Sequence, residues 1–330
     1  MNYDILKEHW LIACSSKTLG TKPYACEILS TPIVLFRNQE KITALLDRCP
    51  HRNAPLSRGK IINGGLECPY HGWQFDTNGE CQKIPGLCNK VTAKSRDATR
   101  FEVIECQGFV WIKLSASTHE IYQPPLLENK NYHSFIWQAE VSASLVNILE
   151  NFLDGTHTHF VHSGLIRREG ERQEVRAAIT RGSDRVEIRY TGEGKQSGFI
   201  SKWFERSRRE SYGRFILPSV AEIEYCSDSG SELTITAYIT STSDAHHKIY
   251  AVISIKQGII PGVIKQWLLT PFFRKALKQD IEILELQQKT IEQFGKETFI
   301  STETDLIRPH IESLLHGNNK KIEKTITVML

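Results

Sequence analysis

Two short Cys–His pairs restrict what this 330-residue chain can fold into more than any other feature does. The first is Cys49-Pro50-His51 and the second is Cys68-Pro69-Tyr70-His71, with 16 residues between them. A Pro stiffens each pair, and Asn63-Gly64-Gly65 between them is typical of a hairpin turn. The spacing therefore predicts two similar loops between short strands, which bring two thiols and two imidazoles to one place.

Two ligand chemistries are compatible with such a set, namely zinc and a [2Fe–2S] cluster in which two histidines replace two cysteines on one iron. Zinc sites usually take both cysteines from one element and both histidines from the other. Here each loop supplies one of each, in the order CxH and CxxH, which favours the cluster. Zinc, or a chance arrangement of two buried cysteines and two unrelated histidines, is the alternative.

The first third of the chain is expected to be all-β, because short apolar runs alternate with turn signals such as Asn78-Gly79. Residues 115–133 lose this periodicity and contain Pro124-Pro125, which indicates a linker. We therefore predict two domains, 1–118 and 119–330. The second is predicted to be α+β, an antiparallel sheet packed with helices in a helix-grip-like arrangement. Its expected helices cover about 144–160 and 271–294, and alternating runs predict strands at 185–191, 220–226, 233–240 and 249–255.

A second cluster of polar residues lies in the segment ENFLDGTHTHFVH, residues 150–162. Two histidines and one carboxylate on one face of a metal are the ligand set of non-haem Fe(II) oxygenases. A polar helix end whose histidines are satisfied by other groups is the alternative. His159 lies two residues after His157 and would face away from it on a helix, so we expect it at the surface or behind the ligands.

A distant carboxylate, Asp280, is a candidate for the third ligand. The charged residues of its predicted helix recur at intervals of three and four and form a solvated face. Asp280 instead shares a face with Ile283, Leu284 and Gln287, and a carboxylate on an apolar face needs a partner. The alternative is an Asp near a helix start that complements the helix dipole.

Together these motifs resemble the Rieske non-haem iron oxygenases. Residues 40–90 resemble a Rieske domain, which implies that Cys49, His51, Cys68 and His71 hold a [2Fe–2S] cluster. Two further patterns match the vanillate and dicamba O-demethylases, which have α subunits only. They are NxxDxxHxxxxH at residues 151–162 and QDxxxxxxQ at residues 279–287. The resemblance implies a mononuclear Fe(II) held by His157, His162 and Asp280. It also implies catalytic roles for two further residues: Asp154 bridges a neighbouring subunit's Rieske centre to His157 or His162, and Asn151 lines the site.

The sequence also selects a branch among Rieske proteins. The quinol-oxidising branch adds a Cys to each pair and joins the two by a disulfide, whereas the corresponding residues here are Ala54 and Tyr70. That branch places a Ser two residues after the second His, where this chain has Trp73. Fewer hydrogen-bond donors to the cluster sulfurs predict a potential toward the low end of the Rieske range.

The implied function is an oxygenase component that uses O₂, and electrons from a separate NAD(P)H-dependent reductase or ferredoxin, to monooxygenate a small organic substrate. Hydroxylation and O- or N-demethylation are both compatible with this reaction. Family members are homotrimers, so electron transfer between subunits is expected. The alternatives are a ring-dihydroxylating dioxygenase of the same family and a non-enzymatic Rieske electron carrier.

Composition predicts a soluble, cytoplasmic protein without a nucleic-acid or membrane partner, because the net charge is only +3 and no apolar run approaches a bilayer-spanning length. The substrate is less constrained by sequence. The aromatic candidates for lining its pocket, although a core role is the more usual one, are Trp203, Phe204, Trp267, Phe272 and Phe273. The basic candidates for binding a substrate carboxylate or an acidic ferredoxin, although such residues are mostly solvated, are Arg167, Arg168, Arg172, Arg206, Arg208 and Arg209.

Overall fold

The computed structural model describes residues 4–39, 41–89, 93–167, 172–192 and 208–330. It divides into two compact units. Unit 1 comprises the chain up to Ile121 together with Thr240–Asp244, and unit 2 comprises Tyr122–Ile239 and Ala245–Leu330. The domain boundary at 118/119 stays a prediction, because a division by contacts does not test which segments fold independently.

Unit 1 is built on a six-stranded antiparallel sheet with the order β1-β10-β9-β4-β3-β2. Its strands are β1 (Leu11–Ser15), β2 (Tyr24–Ile28), β3 (Thr31–Asn38), β4 (Lys41–Leu46), β9 (Arg100–Cys106) and β10 (Phe109–Lys113). Short 3₁₀ helices cover Asp4–Glu8, Ser16–Thr18, Leu56–Arg58 and Lys94–Arg96.

A second, four-stranded sheet in unit 1 holds the two Cys–His loops. Its strands, in the order β5-β6-β7-β8, are β5 (Lys60–Ile62), β6 (Gly65–Glu67), β7 (Gln74–Phe75) and β8 (Cys81–Lys83). The predicted turn joins β5 to β6, with φ of 49° at Asn63 and 79° at Gly64. Positive φ at both central residues matches the twist of a tight hairpin. Both hairpins that the sequence predicts, at residues 63–65 and 78–79, are confirmed.

Unit 2 contains an eight-stranded antiparallel sheet with the order β11-β17-β16-β15-β14-β13-β12-β18. The strands are β11 (Tyr132–Ser142), β12 (Glu174–Arg181), β13 (Arg185–Thr191), β14 (Arg208–Ile216), β15 (Val220–Ser227), β16 (Gly230–Ser241), β17 (His246–Lys256) and β18 (Ile322–Met329). Strands β13 to β17 are neighbours in chain order, which confirms the predicted meander. The α+β fold class is therefore confirmed as well.

Three α-helices are present in the described part of unit 2: α1 (Leu145–Leu153), α2 (Gly262–Phe294) and α3 (Arg308–Leu315), with a 3₁₀ turn at His157–His159. The helix predicted for 144–160 is too long. It ends at Leu153 because Asp154 turns to an extended conformation (φ −78°, ψ 127°). The Asp154 carboxylate then accepts a hydrogen bond from the backbone N–H of Thr156 at 2.8 Å, which competes with helical bonding.

Helix α2 begins at Gly262 rather than at the predicted residue 271, and Pro271 lies inside it. Gly262 permits a close approach to β11, since a Cβ there would lie 2.1 Å from the Cβ of His133. No helix within the described ranges is both long enough and apolar enough to span a membrane.

Candidate metal centres and substrate cavity

The two Cys–His loops of unit 1 have the same backbone hydrogen bonds. In the first, the N–H of Cys49 donates to the carbonyl of Ala54 and the N–H of Asn53 donates back to Cys49, at 2.8 and 2.9 Å. In the second, Cys68 and Trp73 are joined at 2.8 Å, and Gly72 donates to Cys68 at 3.2 Å. Each loop needs one residue with positive φ, which Asn53 (59°) and Gly72 (67°) supply. The predicted pair of similar loops is present.

Four potential ligands meet between these loops. Cys49 and Cys68 are only 1% and 2% exposed, and the rings of His51 and His71 lie 4.6 Å apart. Burial and the neighbouring Cys68 raise the pKa of the Cys49 thiol to about 11, so it needs a cation to become a thiolate. Nδ1 of His51 is buried and has no hydrogen-bond partner within the described residues. A buried ring nitrogen without a hydrogen-bond partner among the described residues, beside two buried thiols, fits a [2Fe–2S] cluster with mixed ligands.

Two aromatic residues cover the histidine side of this cluster site. The ring of Trp73 stacks on His51 with centroids 4.7 Å apart and planes 8° from parallel. Tyr70 lies against His71 at 3.8 Å and is 64% exposed. Trp73 stands at the position where the quinol-oxidising branch has its Ser. Its ring shields one face of the His51 ring.

In unit 2, the chain leaves the helical conformation after Leu153, and Asp154 organises the turn that follows. The Asp154 carboxylate accepts hydrogen bonds from the Oγ1 of Thr156 at 2.8 Å and from the backbone N–H of His157 at 3.1 Å. Its Oδ2 lies 3.3 Å from Nδ1 of His157. Asp154 therefore fixes both the turn and the orientation of the His157 ring.

Asp280 of α2 reaches the same point. Its Oδ1 lies 2.9 Å from Nε2 of His162 and 3.4 Å from Nε2 of His157. The three potential ligand atoms all lie within 4.8 Å of one another. Oδ1 of Asp280 is buried, yet within the described residues no hydrogen bond of normal geometry reaches it. Two imidazole nitrogens and a carboxylate oxygen that converge without satisfying one another fit the ligand set of a ferrous ion.

The electrostatics of this site also favour a cation. Burial lowers the pKa of His157, but the carboxylates of Asp154 and Asp280 outweigh this effect and raise it to about 9. Burial raises the pKa of the Asp280 carboxyl, but His157 and His162 outweigh this effect and lower it. A metal ion that binds here must displace a proton from His157.

Sequence reasoning missed two residues that support these groups. Gln279, next to Asp280 in α2, lies with its Oε1 3.0 Å from Nδ1 of His162. Arg308 of α3 is 5% exposed and donates to Glu150 of α1 at 2.7 Å and to Asn147 at 2.8 Å. Gln279 is the first residue of the QDxxxxxxQ match, but that pattern gave it no role, and the partner of Arg308 lies 158 residues away in the chain.

A cavity of about 240 Å³ opens onto His157, His162 and Asp280. Its walls come from the sheet and from α2, and they are mainly apolar: Trp137, Ile223, Leu233, Ile253, Phe273 and Leu277. A second cavity, of about 420 Å³, is lined by the carboxylates of Glu150, Asp154 and Asp305. Asn151, Asp154 and His157 border both cavities.

Several predicted residues lie elsewhere. His159 is 2% exposed, which excludes the surface, because the chain is no longer a regular helix there; the other predicted place, behind the ligands, stays a prediction. Of the predicted aromatic lining, Phe273 borders the first cavity and Phe272 does not. Trp267 is 75% exposed. Trp203 and Phe204 fall outside the described residues.

The basic set is likewise divided. Arg167 borders the first cavity, whereas Arg172 packs on Phe160 and Arg209 pairs with Asp228. Arg168, Arg206 and the side chain of Arg208 fall outside the described residues.

Two known families match the chain, and each match covers one of the two candidate metal centres. Residues 9–99 match the Rieske [2Fe-2S] domain, and residues 141–310, more than half of the chain, match the vanillate O-demethylase oxygenase C-terminal domain. The chain belongs to the Rieske non-haem iron oxygenases. Membership of this family explains why one Rieske oxygenase chain carries two separate candidate metal centres.

Sequence relatives of this Rieske oxygenase include demethylases. Methylxanthine N1-demethylase NdmA of Pseudomonas putida is 31% identical over 176 residues, which is 49% of each chain. The oxygenase component of dicamba O-demethylase from Stenotrophomonas maltophilia is 33% identical over 162 residues, 48% of each chain. The chain spans about half the length of the curated relatives it matches. Protein TIC 55 of Arabidopsis thaliana is 24% identical over 88% of this chain and 54% of its own.

Solved structures extend the likeness of fold to nearly the whole Rieske oxygenase chain. NdmA of Pseudomonas putida with caffeine superposes with a TM-score of 0.81 at 22% identity, covering 96% of this chain and 92% of the other. Dicamba monooxygenase bound to dicamba gives 0.76 at 24% identity, covering 94% and 98%. At these identities the likeness concerns the fold alone.

Proposed function

We propose that this chain is the oxygenase component of a Rieske monooxygenase, which hydroxylates or demethylates a small, largely apolar organic substrate. The observation that carries the proposal is the convergence of His157, His162 and Asp280 at one end of an apolar cavity. A metal ion whose three protein ligands all lie on one of its faces keeps open coordination positions toward that cavity. When bound, the [2Fe–2S] cluster supplies electrons and the ferrous ion activates O₂.

The residues around the cavity hold and orient the substrate. Phe273 and Leu277 of α2 lie on the same helix as Asp280 and present apolar surface beside it. Trp137 packs edge-on against Phe273 with ring centroids 5.9 Å apart, which stiffens that wall. Apolar walls favour a neutral aromatic or aliphatic group, exclude water and leave a C–H bond beside the metal. Asn151, at the border of both cavities, supplies an amide near the reacting atoms.

The electron route is proposed to cross between two copies of the chain in a homotrimer. His71 is exposed beside Tyr70 on the cluster loops, and Asp154 borders the acidic second cavity. A hydrogen bond from His71 of one copy to Asp154 of the next would link the two metal centres through His157. The electrons are proposed to come from a separate NAD(P)H-dependent reductase or ferredoxin, in the cytoplasm.

The reaction balances as one substrate C–H, one O₂, two electrons and two protons giving one C–OH and one water. When the attacked carbon is an O- or N-methyl group, the hydroxymethyl product releases formaldehyde.

The test is turnover under ¹⁸O₂ with a reductase and a panel of methoxy- and N-methyl-arenes. Incorporation of one labelled atom per product or formaldehyde supports the proposal. Two labelled atoms in a cis-diol would indicate the dihydroxylating alternative. A cluster that undergoes reduction and reoxidation without any oxygenated product would indicate an electron carrier.

A further inference from the structure

The ring of His162 lies between two neighbouring residues of α2. Its Nε2 is 2.9 Å from Oδ1 of Asp280, and its Nδ1 is 3.0 Å from Oε1 of Gln279. Consecutive side chains on a helix point about 100° apart, so two adjacent residues can contact opposite edges of one ring. The ring itself is 2% exposed, and water therefore does not compete for either nitrogen.

The partner of Nδ1 decides whether His162 is able to bind a metal. A neutral imidazole carries one N–H, and only the nitrogen without it donates a lone pair. An acceptor at Nδ1 places the proton there and leaves Nε2 free to face Asp280. If the Gln279 amide presented its NH₂ group instead, Nδ1 would have to be the acceptor and Nε2 would carry the proton. The carbonyl oxygen of Gln279 therefore corresponds to the metal-binding tautomer.

We propose that Gln279 is a positioning residue, which fixes the Nδ1–H tautomer of His162 and holds its ring toward the iron. This inference rests on the proposed iron site. Gln279 acts through His162 and is not itself a ligand. Outer partners of this kind typically strengthen metal binding 10- to 100-fold.

The two histidines of the site differ in their outer partners. Nδ1 of His157 faces a carboxylate, that of Asp154 at 3.3 Å, whereas Nδ1 of His162 faces a neutral amide. A carboxylate raises the basicity of an imidazole more than an amide does. Gln279 thus orients His162 without adding a second negative charge next to Asp280.

The test uses two substitutions of Gln279 and one matched control. Gln279→Leu removes the acceptor, and Gln279→Glu retains one. Gln288→Leu makes the same apolar change elsewhere on α2, where the side chain donates to Glu292 at 3.0 Å. The readouts are the Fe(II) dissociation constant of the site emptied by chelation, and the EPR signal of the Fe(II)–nitric oxide adduct. The EPR signal of the reduced cluster reports whether unit 1 remains intact.

Gln279→Leu is expected to weaken Fe(II) binding by about 10- to 100-fold and to alter the nitric oxide adduct signal, with the cluster signal unchanged. Gln279→Glu is expected to bind Fe(II) within about threefold of wild type or more tightly, since a carboxylate accepts the same N–H. Gln288→Leu is expected to match wild type.

Three results would overturn the inference: tight binding by Gln279→Leu, an equal loss in Gln288→Leu, or a Gln279→Glu variant as weak as Gln279→Leu. A wild-type chain that binds no Fe(II) beyond the cluster would instead overturn the proposed function. The two failures are therefore distinguishable.

Discussion

Oδ2 of Asp154 lies 3.3 Å from Nδ1 of His157, so a residue outside the ligand set contacts the candidate iron site through one of its imidazoles. The same carboxylate borders the acidic second cavity. It thus lies between the candidate metal site and the second cavity.

Replacement of this carboxylate is expected to separate iron binding from electron transfer. Asp154→Asn keeps an oxygen that can accept the His157 N–H, so we expect near-normal iron content. Because the amide is a weaker acceptor, reoxidation of the reduced cluster by O₂ and substrate should slow by about tenfold or more. Stopped-flow absorbance of the cluster measures this rate. Asp305→Asn, in the same cavity, is the control, and an unchanged rate in Asp154→Asn would contradict the proposed route.

Trp73 offers a test of the predicted low potential of the cluster. Trp73→Ser introduces a hydroxyl at the position where the quinol-oxidising branch has a Ser that donates a hydrogen bond to a cluster sulfur. A hydrogen bond to the reduced cluster of about 1.5 kcal/mol corresponds to a rise of about 65 mV in the midpoint potential. Trp73→Phe keeps an aromatic ring against His51 and adds no donor, so its potential should stay close to wild type. Equal shifts in the two variants, by protein-film voltammetry, would refute a donor effect.

A buried charge cluster in unit 2 is expected to be sensitive to the loss of one partner. Glu222 is 1% exposed and accepts hydrogen bonds from Arg214 at 3.0 Å, Thr236 at 2.7 Å and Tyr122 at 2.9 Å. Arg214→Met leaves this carboxylate buried without its cation, which should cost about 3–5 kcal/mol. Arg214→Met/Glu222→Gln should recover much of the loss. Chemical denaturation compares the two, and a double variant no more stable than the single one would contradict the expectation.

His9 predicts an acid-sensitive contribution to the stability of unit 1. It is 6% exposed, and burial together with the stacked His119 lowers its pKa to about 4. The unfolded chain, with a histidine pKa of about 6.5, binds a proton in this range that the native chain does not. The contribution of neutral His9 to the free energy of unfolding is therefore fully present above pH 6.5. It falls as the pH decreases toward 4, by at most about 3 kcal/mol. Midpoints of thermal unfolding at pH 7 and 4.5 should differ less for His9→Phe than for wild type, and equal differences would exclude this role.

The fold could be predicted from sequence where a short segment carries its own signal. Asn63-Gly64 specifies its turn through positive φ, and period-two alternation gave β13 its observed bounds, Arg185–Thr191. The pairs around Cys49 and Cys68 predicted two similar loops because each pair has its own Pro and a hairpin turn lies between them. These features depend on local backbone chemistry alone.

Other features depend on contacts that a linear pattern does not contain. The end of α1 is decided by the side chain of Asp154, which binds Thr156 instead of leaving the helix to continue. Helix α2 begins where Gly262 approaches His133 closely, and His133 lies far back in the chain. The role of Gln279 becomes visible only once His162 lies beside it.

The most direct measurement is the iron and acid-labile sulfide content per chain, with an EPR spectrum of the dithionite-reduced protein, for wild type and His157→Ala. We expect about three irons and two sulfides with a Rieske-type signal in wild type, and about two irons with the same signal in His157→Ala. Two irons in wild type, unchanged by the substitution, would contradict the mononuclear site. Zinc without sulfide would contradict both metal centres.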